Sequence, residues 1–180
     1  MGLFKVRTLG VSNYEVDDLL ELLEYSKVKP SVVQNKLDPF NPGSISVEGA
    51  TDQISVLKFC QGHSIQFVAY SVLSAWPYEL SALNNPHVQA VASLMKKTPA
   101  QVLVRWALQS GAAVVVKSQT PDNIIQNGRV FDFELSDEHM RYINGLSWMT
   151  HMLPPDFIHN SHSLDISETL DLEDDFEDDL

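Results

Sequence analysis

Ala113-Val-Val-Val-Lys-Ser-Gln-Thr-Pro-Asp-Asn-Ile-Ile-Gln-Asn127 reads as a strand, a polar turn and a helix in quick succession. Val114, Val115 and Val116 are an apolar β-branched run, the composition of a strand covered on both faces. Lys117 and Ser118 stand at its carboxyl end. Thr120 is placed to cap a helix with Pro121 at its first position, and Gly128 to stop it. A cation, a hydroxyl and unpaired helix N–H groups converge at one strand end, an arrangement suited to phosphate. The plainer reading is a solvated lysine at the end of a strand.

The same alternation runs through the preceding sequence. Arg7-Thr-Leu-Gly-Val-Ser-Asn13 has a short strand pattern. It passes into a helix to about Lys27, with Val16, Leu19, Leu20 and Leu23 at helical spacing and a cap from Ser12 or Asn13, Ser12-x-x-Glu15 allowing a capping box. Val32 and Val33 mark a short buried strand with Gln34 at its end, and Pro39, Pro42 and Gly43 break the chain into a loop. Residues 50–62 read as a helix and Ile65–Ser71 as a strand. Asn85-Pro86 and Thr98-Pro99 each start a helix, the second with Val102, Leu103, Trp106 and Ala107 inward and Gly111 as its stop. Ser136 caps a last helix to about Leu146. Strand and helix in regular alternation, with buried strands and polar strand ends, predict parallel α/β architecture.

Several of these stretches resemble aldo-keto reductases. Val116-Lys117-Ser118 followed by Ile124-x-Gln126-Asn127 is similar to that family's last barrel strand and following loop. The resemblance implies that Lys117 and Ser118 hold the 2′-phosphate of NADPH and that Gln126 and Asn127 lie by the adenine. The family commonly has an arginine where Asn123 stands; Asn123 brings no charge to that phosphate, which admits NAD as well as NADP. Leu9-Gly-Val-Ser-Asn13 resembles the fifth barrel strand. There the Ser and Asn side chains bind the nicotinamide carboxamide, a role this assigns to Ser12 and Asn13 alongside helix capping. Gln34 then holds the other side of the carboxamide; its alternative is a buried glutamine with no ligand. Ala69-Tyr70-Ser71-x-Leu73 resembles the seventh strand. Tyr70 becomes the platform for the nicotinamide ring, and the segment through Ser71 and Leu73 lies along the pyrophosphate. An isolated strand tyrosine would otherwise be core. Lys97–Leu108 resembles the helix before the final strand, where Arg105 and Trp106 have packing roles, and Phe133-x-Leu-Ser-x-Glu138 the close of the barrel.

The resemblance covers about residues 4–146 and only strands five to eight. The expectation is therefore a partial (β/α)8 barrel of about four parallel β/α units, since a full barrel needs about 250 residues. Residues 1–158 form this C-terminal half and 159–180 an acidic, disordered tail. The family's catalytic Asp, Tyr, Lys and His come from its first half, so no catalytic residue is assigned. The implied function is an NADP(H)-binding oxidoreductase that reduces a small carbonyl substrate to an alcohol once completed by the first half. The alternatives are a non-catalytic cofactor-binding regulatory module and an inactive truncated fragment. Met1 falls late in a helix-to-strand connection, a poor place for a domain boundary, which favours a fragment of a longer product. Half a barrel predicts two open sheet edges and an apolar face toward the missing half, resolved by a homodimer, by a complementing half-barrel from another polypeptide, or by the chain being a fragment of a longer product.

Composition bounds the rest. The net charge is −12, but residues 165–180 hold nine Asp/Glu and no Lys or Arg. The remainder is close to neutral without a basic patch, which argues against nucleic acid. The tail alternates acids with Leu164, Ile166, Leu170, Leu172, Phe176 and Leu180, a solubilising or partner-docking pattern. No apolar run approaches the ~20 residues of a membrane span, and no signal-peptide or myristoylation pattern opens the chain. A single cysteine, Cys60, reads as a buried small hydrophobe in a reducing, cytoplasmic setting. His159 and His162 have metal-like spacing but no companion ligands. The C-terminal loop, Ser147–Ile158 with Trp148 and Pro154-Pro155, stands where the family shapes substrate choice.

Overall fold

The structure, a computed structural model, describes residues 6–40, 55–73 and 81–146. Strands β1 (Gly10–Ser12), β2 (Val32–Lys36), β3 (Gln66–Tyr70) and β4 (Ala113–Val114) form one parallel sheet in the order β1-β2-β3-β4. Helix α1 (Val16–Tyr25) lies between β1 and β2, and α2 (Val56–Gly62) precedes β3. A 3-10 turn (Ala82–Asn84), α3 (Pro86–Met95) and α4 (Pro99–Gln109) lead to β4; α5 (Pro121–Gly128) and α6 (Asp137–Asn144) follow. Four parallel strands joined through helices are the expected partial α/β barrel, with β1 and β4 at the sheet's margins. No helix among the described residues is long and apolar enough to cross a membrane.

One face of the sheet is core. Val33 pairs in register with Phe67, and Asn35 with Ala69; all four are buried. Val11 and Val114 extend this face, and Leu19 of α1 with Phe59 and Cys60 of α2 belong to the same cluster. Strand alternation sends the intervening side chains to the other face. There Ser12, Gln34, Lys36, Gln66 and Tyr70 interleave with Val32 and Val68. The expectation of an apolar open face is thus corrected: it is half polar, and so tolerates water.

Capping follows the sequence at three helices. Asn85 Oδ1 accepts from His87 N–H at 3.0 Å, Thr98 Oγ1 from Gln101 N–H at 3.2 Å, and Ser136 Oγ from His139 N–H at 3.2 Å. The start of α1 differs. Ser12 and Asn13 do not cap it, because their side chains are spent on the sheet: the Ser12 hydroxyl donates to the Gln34 carbonyl at 2.8 Å and Asn13 Oδ1 accepts from the Tyr70 hydroxyl at 2.8 Å, while Asn13 N–H donates to the Gln34 carbonyl at 3.1 Å. The helix starts after Glu15, whose N–H donates to the Asp18 carboxylate at 2.8 Å. Burial and the Asp18 charge raise the Glu15 pKa. Thr120 holds the N-cap position of α5 without a side-chain bond; the Ser118 hydroxyl instead accepts Thr120 N–H at 3.2 Å. Gly128 is the last residue of α5, with Arg129 as the cap.

The strand at Val114–Val116 is also corrected. β4 is two residues long, and Val115, whose N–H donates to the Ala69 carbonyl at 2.9 Å, is 53% exposed. Alternation packs Val114 against the core and turns Val115 to the open face of the sheet, so the run is not covered on both faces. Gly111 does stop α4, with φ at +92° in the region glycine reaches at no steric cost.

Helix α4 fastens the chain that follows α5. Trp106 is buried and its indole N–H donates to Asn144 Oδ1 at 2.7 Å. Gln101 Nε2 donates to the Arg129 carbonyl at 2.8 Å, and Arg105 reaches the Val130 carbonyl and Glu134. Gln109 brackets Leu135, accepting its N–H at 2.7 Å and donating to its carbonyl at 2.9 Å. These contacts give Arg105 and Trp106 the packing roles expected of them. The residues after 146, including the C-terminal loop, His159, His162 and the acidic tail, lie outside the described residues.

Two outcomes follow. Gln109→Ala leaves both backbone groups of Leu135 without these partners and lowers stability by about 1–3 kcal/mol, read by urea denaturation. Cys60 is fully buried, and burial pushes its thiol up to about 11. Only the thiolate reacts, so the native protein resists iodoacetamide at pH 8 and is labelled promptly in denaturant.

Candidate functional site

The carboxyl ends of β1, β2 and β3 converge on one cluster. Ser12 and Gln34 are register partners, and Lys36 is that of Tyr70. The Tyr70 hydroxyl crosses to donate to Asn13 Oδ1 at 2.8 Å. Asn13 adopts a left-handed conformation with φ of 59°, and Ser71, just after β3, does the same with φ of 57°. Each costs a non-glycine residue about 1–2 kcal/mol. Such conformations gather at functional sites, where the surroundings hold them in place. Here they turn the chain sharply where the strands end and aim Asn13 at Tyr70. The side-chain amide of Gln34 has no hydrogen-bond partner among the described residues, whereas its carbonyl serves Ser12 and Asn13.

Beside this cluster, between the ends of β3 and β4, lies a cleft of about 340 Å³ lined by Tyr70, Ser71, Val72, Leu73, Val115, Val116 and Lys117. That volume is at the low end of ligand pockets. Tyr70 belongs to both the polar cluster and the cleft, and its bond to Asn13 fixes the orientation of the ring. Apolar Val72, Leu73, Val115 and Val116 supply the walls and Lys117 the charge. Lys117 is exposed and has no carboxylate partner among the described residues.

Past Lys117 the polar residues continue along the surface. Ser118 is half-buried and tied to Thr120, Asn123 is exposed, and Gln126 and Asn127 are half-buried on α5. The first turn of α5 also carries Asp122, whose charge opposes the attraction of the helix terminus for an anion. Of the eleven candidate residues, Ser12, Asn13, Gln34 and Tyr70 meet at the strand ends; Tyr70, Ser71, Leu73 and Lys117 share the cleft. Ser118, Asn123, Gln126 and Asn127 form a separate stretch on the turn and α5. Among the described residues no group of three His, Cys, Asp or Glu is placed to hold a metal ion.

Sequence reasoning missed two residues on the polar face. Lys36 Nζ lies 3.0 Å from Asp38 Oδ2, and the Asp38 side chain is 1% exposed. Its other oxygen accepts Phe40 N–H at 2.9 Å. The signal was present: Lys36 stands two residues after Gln34 in a strand and so shares its face.

Comparison with known proteins bears on these elements. The Aldo/keto reductase family profile matches residues 5–147. Aldose reductase B of Dictyostelium discoideum is 35% identical over 142 residues, covering 79% of this chain and 42% of that protein. An NADPH-dependent D-xylose reductase of Meyerozyma guilliermondii is 35% identical over 154 residues, covering 79% of the chain and 45% of the relative. In structure, the aldose reductase from Schistosoma japonicum is similar with a TM-score of 0.67 and 33% identity, over 78% of this chain and 41% of that one. The chain spans less than half the length of these relatives.

The left-handed turn at Asn13 has its own signature. Asn13→Val places a β-branched residue at positive φ and also loses the Tyr70 bond, costing on the order of 2–3 kcal/mol, whereas in Asn13→Gly the relief of the left-handed strain offsets the lost bond and stability stays within about 1 kcal/mol of the parent. Thermal unfolding of the two variants measures the difference.

Proposed function

The chain belongs to the aldo/keto reductase family, and on that premise we propose that it carries the nicotinamide-cofactor site of an NADP(H)-dependent oxidoreductase. The observation that carries this reading is the Tyr70 ring, held by Asn13 at 2.8 Å and lining the 340 Å³ cleft that Lys117 also lines. A rigid aromatic wall suits a flat heteroaromatic ring, and a solvated cation at the far side suits phosphate.

In this reading Ser12, Asn13 and Gln34 bind the carboxamide. Asn13 and the amide of Gln34 can both donate and accept, as a carboxamide requires. Tyr70 stacks on the nicotinamide ring and fixes which face it shows. Ser71 and Leu73 run along the pyrophosphate, with Lys117 and Ser118 at the 2′-phosphate and Asn123, Gln126 and Asn127 toward the adenosine end. The bound cofactor supplies hydride. The residues of this chain position it, and acid–base groups from the first half of the barrel complete the reduction of a carbonyl substrate to an alcohol.

Charge sets the discrimination between cofactors. Lys117 favours the extra phosphate of NADPH, while Asp122 opposes it and Asn123 adds no charge. The preference for NADPH over NADH is therefore modest. In titrations of the purified chain followed by fluorescence, both reduced cofactors saturate, NADPH with the lower Kd. Lys117→Ala weakens NADPH about tenfold and leaves NADH within about twofold. A folded, monodisperse sample that binds neither cofactor overturns the proposal.

A further inference from the structure

The Lys36–Asp38 pair is a buried charge arrangement on the site face that the cofactor contacts above do not use. β2 alternation puts Val33 and Asn35 in the core and Gln34 and Lys36 on the polar face. Lys36 is the register partner of Tyr70 on β3. Parallel register partners share a face of the sheet, so Lys36 stands next to the tyrosine that lines the cleft. The two charges are unequally buried: the Lys36 side chain is 18% exposed and that of Asp38 1%, at 3.0 Å. The pair is neutral as a whole but oriented, with its ammonium end toward the open face and its carboxylate end inside. With its carboxylate end buried, such a dipole is screened less than a fully solvated pair.

We infer that this oriented pair makes the site selective for the reduced cofactor over the oxidised one. The inference rests on the cofactor reading of Tyr70. The oxidised nicotinamide ring carries a positive charge and the reduced ring is neutral, while the rest of the two molecules is the same. A positive dipole end beside Tyr70 disfavours the charged ring and leaves the neutral one unaffected. Lys36 thus acts as a specificity-determining residue through charge, with Asp38 as the residue that positions it. The result is a site that takes up the hydride donor and sheds the spent cofactor.

The test is the ratio of Kd values for NADP+ and NADPH, measured by calorimetry on the parent chain and on Lys36→Met, Lys36→Arg, Asp38→Asn and the double variant Lys36→Met/Asp38→Asn. Folding of each is checked by circular dichroism. The parent prefers NADPH. Lys36→Met lowers the ratio about fivefold and Lys36→Arg restores it. Asp38→Asn, which takes this carboxylate from beside the ammonium, raises the ratio, and the double variant, which removes both charges of the pair, falls between Lys36→Met and the parent. If Asp38→Asn does not fold, the Met, Arg and double variants decide the matter. A purely structural pair would weaken both forms alike and leave the ratio unchanged, which overturns the inference while the cofactor reading stands. A parent chain that binds neither form overturns both.

Discussion

The parallel ladder between β2 and β3 is the constraint on which the rest of the molecule depends. It runs in register from Val32 and Gln66 to Lys36 and Tyr70, and the other strands are added to its two sides. Because side chains alternate, this one register decides two things together. It packs Val33 against Phe67 in the core beneath α1 and α2, and it aligns Gln34, Lys36 and Tyr70 on the opposite face. A slip of one residue would turn Val33 outward and carry Gln34 into the core. Core stability and site geometry are thus specified by the same hydrogen bonds, and the site inherits the rigidity of the core.

Helix α4 serves the outer elements in a comparable way. Its apolar side, Val102, Leu103, Trp106 and Ala107, is buried, while Gln101, Arg105 and Gln109 hold the segment from Arg129 to Leu135. Lys97 adds an ion pair with Asp132 at 2.8 Å and lies over the Phe133 ring, and it holds the Asp132 carboxyl below its usual range. Between α4 and the segment it holds run β4, Lys117, Ser118 and α5. Lys117 therefore sits on a short surface arc anchored at both ends. That anchoring lets one exposed lysine keep a defined place beside the cleft.

Helix positions were legible in the sequence because their signals are local. Asn85-Pro86, Thr98-Pro99 and Ser136 each mark a cap through residues within one turn, and the 3.6-residue spacing of Val88, Val91 and Ala92 marks the buried side. What the sequence hid depends on partners distant along the chain. Ser12 and Asn13 have the chemistry of caps, but the Gln34 carbonyl, 22 residues from Ser12, claims one side chain and the Tyr70 hydroxyl, 57 residues from Asn13, the other. Val115 looks like core until strand alternation turns it to the open face. At the site, the convergence of Asn13 with Tyr70 was implied by family resemblance, while the hydrogen bond joining them was not. Lys36 and Asp38 escaped notice because a lysine and an aspartate two apart look like a solvated surface until burial shows otherwise.

The brevity of the marginal strands has a consequence for how this protein behaves in a crowded solution. β1 offers three residues and β4 two. Each exposes a small number of backbone groups to a passing chain, too few to template an added strand over any length. Strand-on-strand aggregation needs long, flat, apolar margins, and both margins here are short, with Ser12 at one and Lys117 just past the other. The sheet is left with blunt ends, and the strand length that would be hazardous at an edge is kept in the middle, in β2 and β3, where it is already paired.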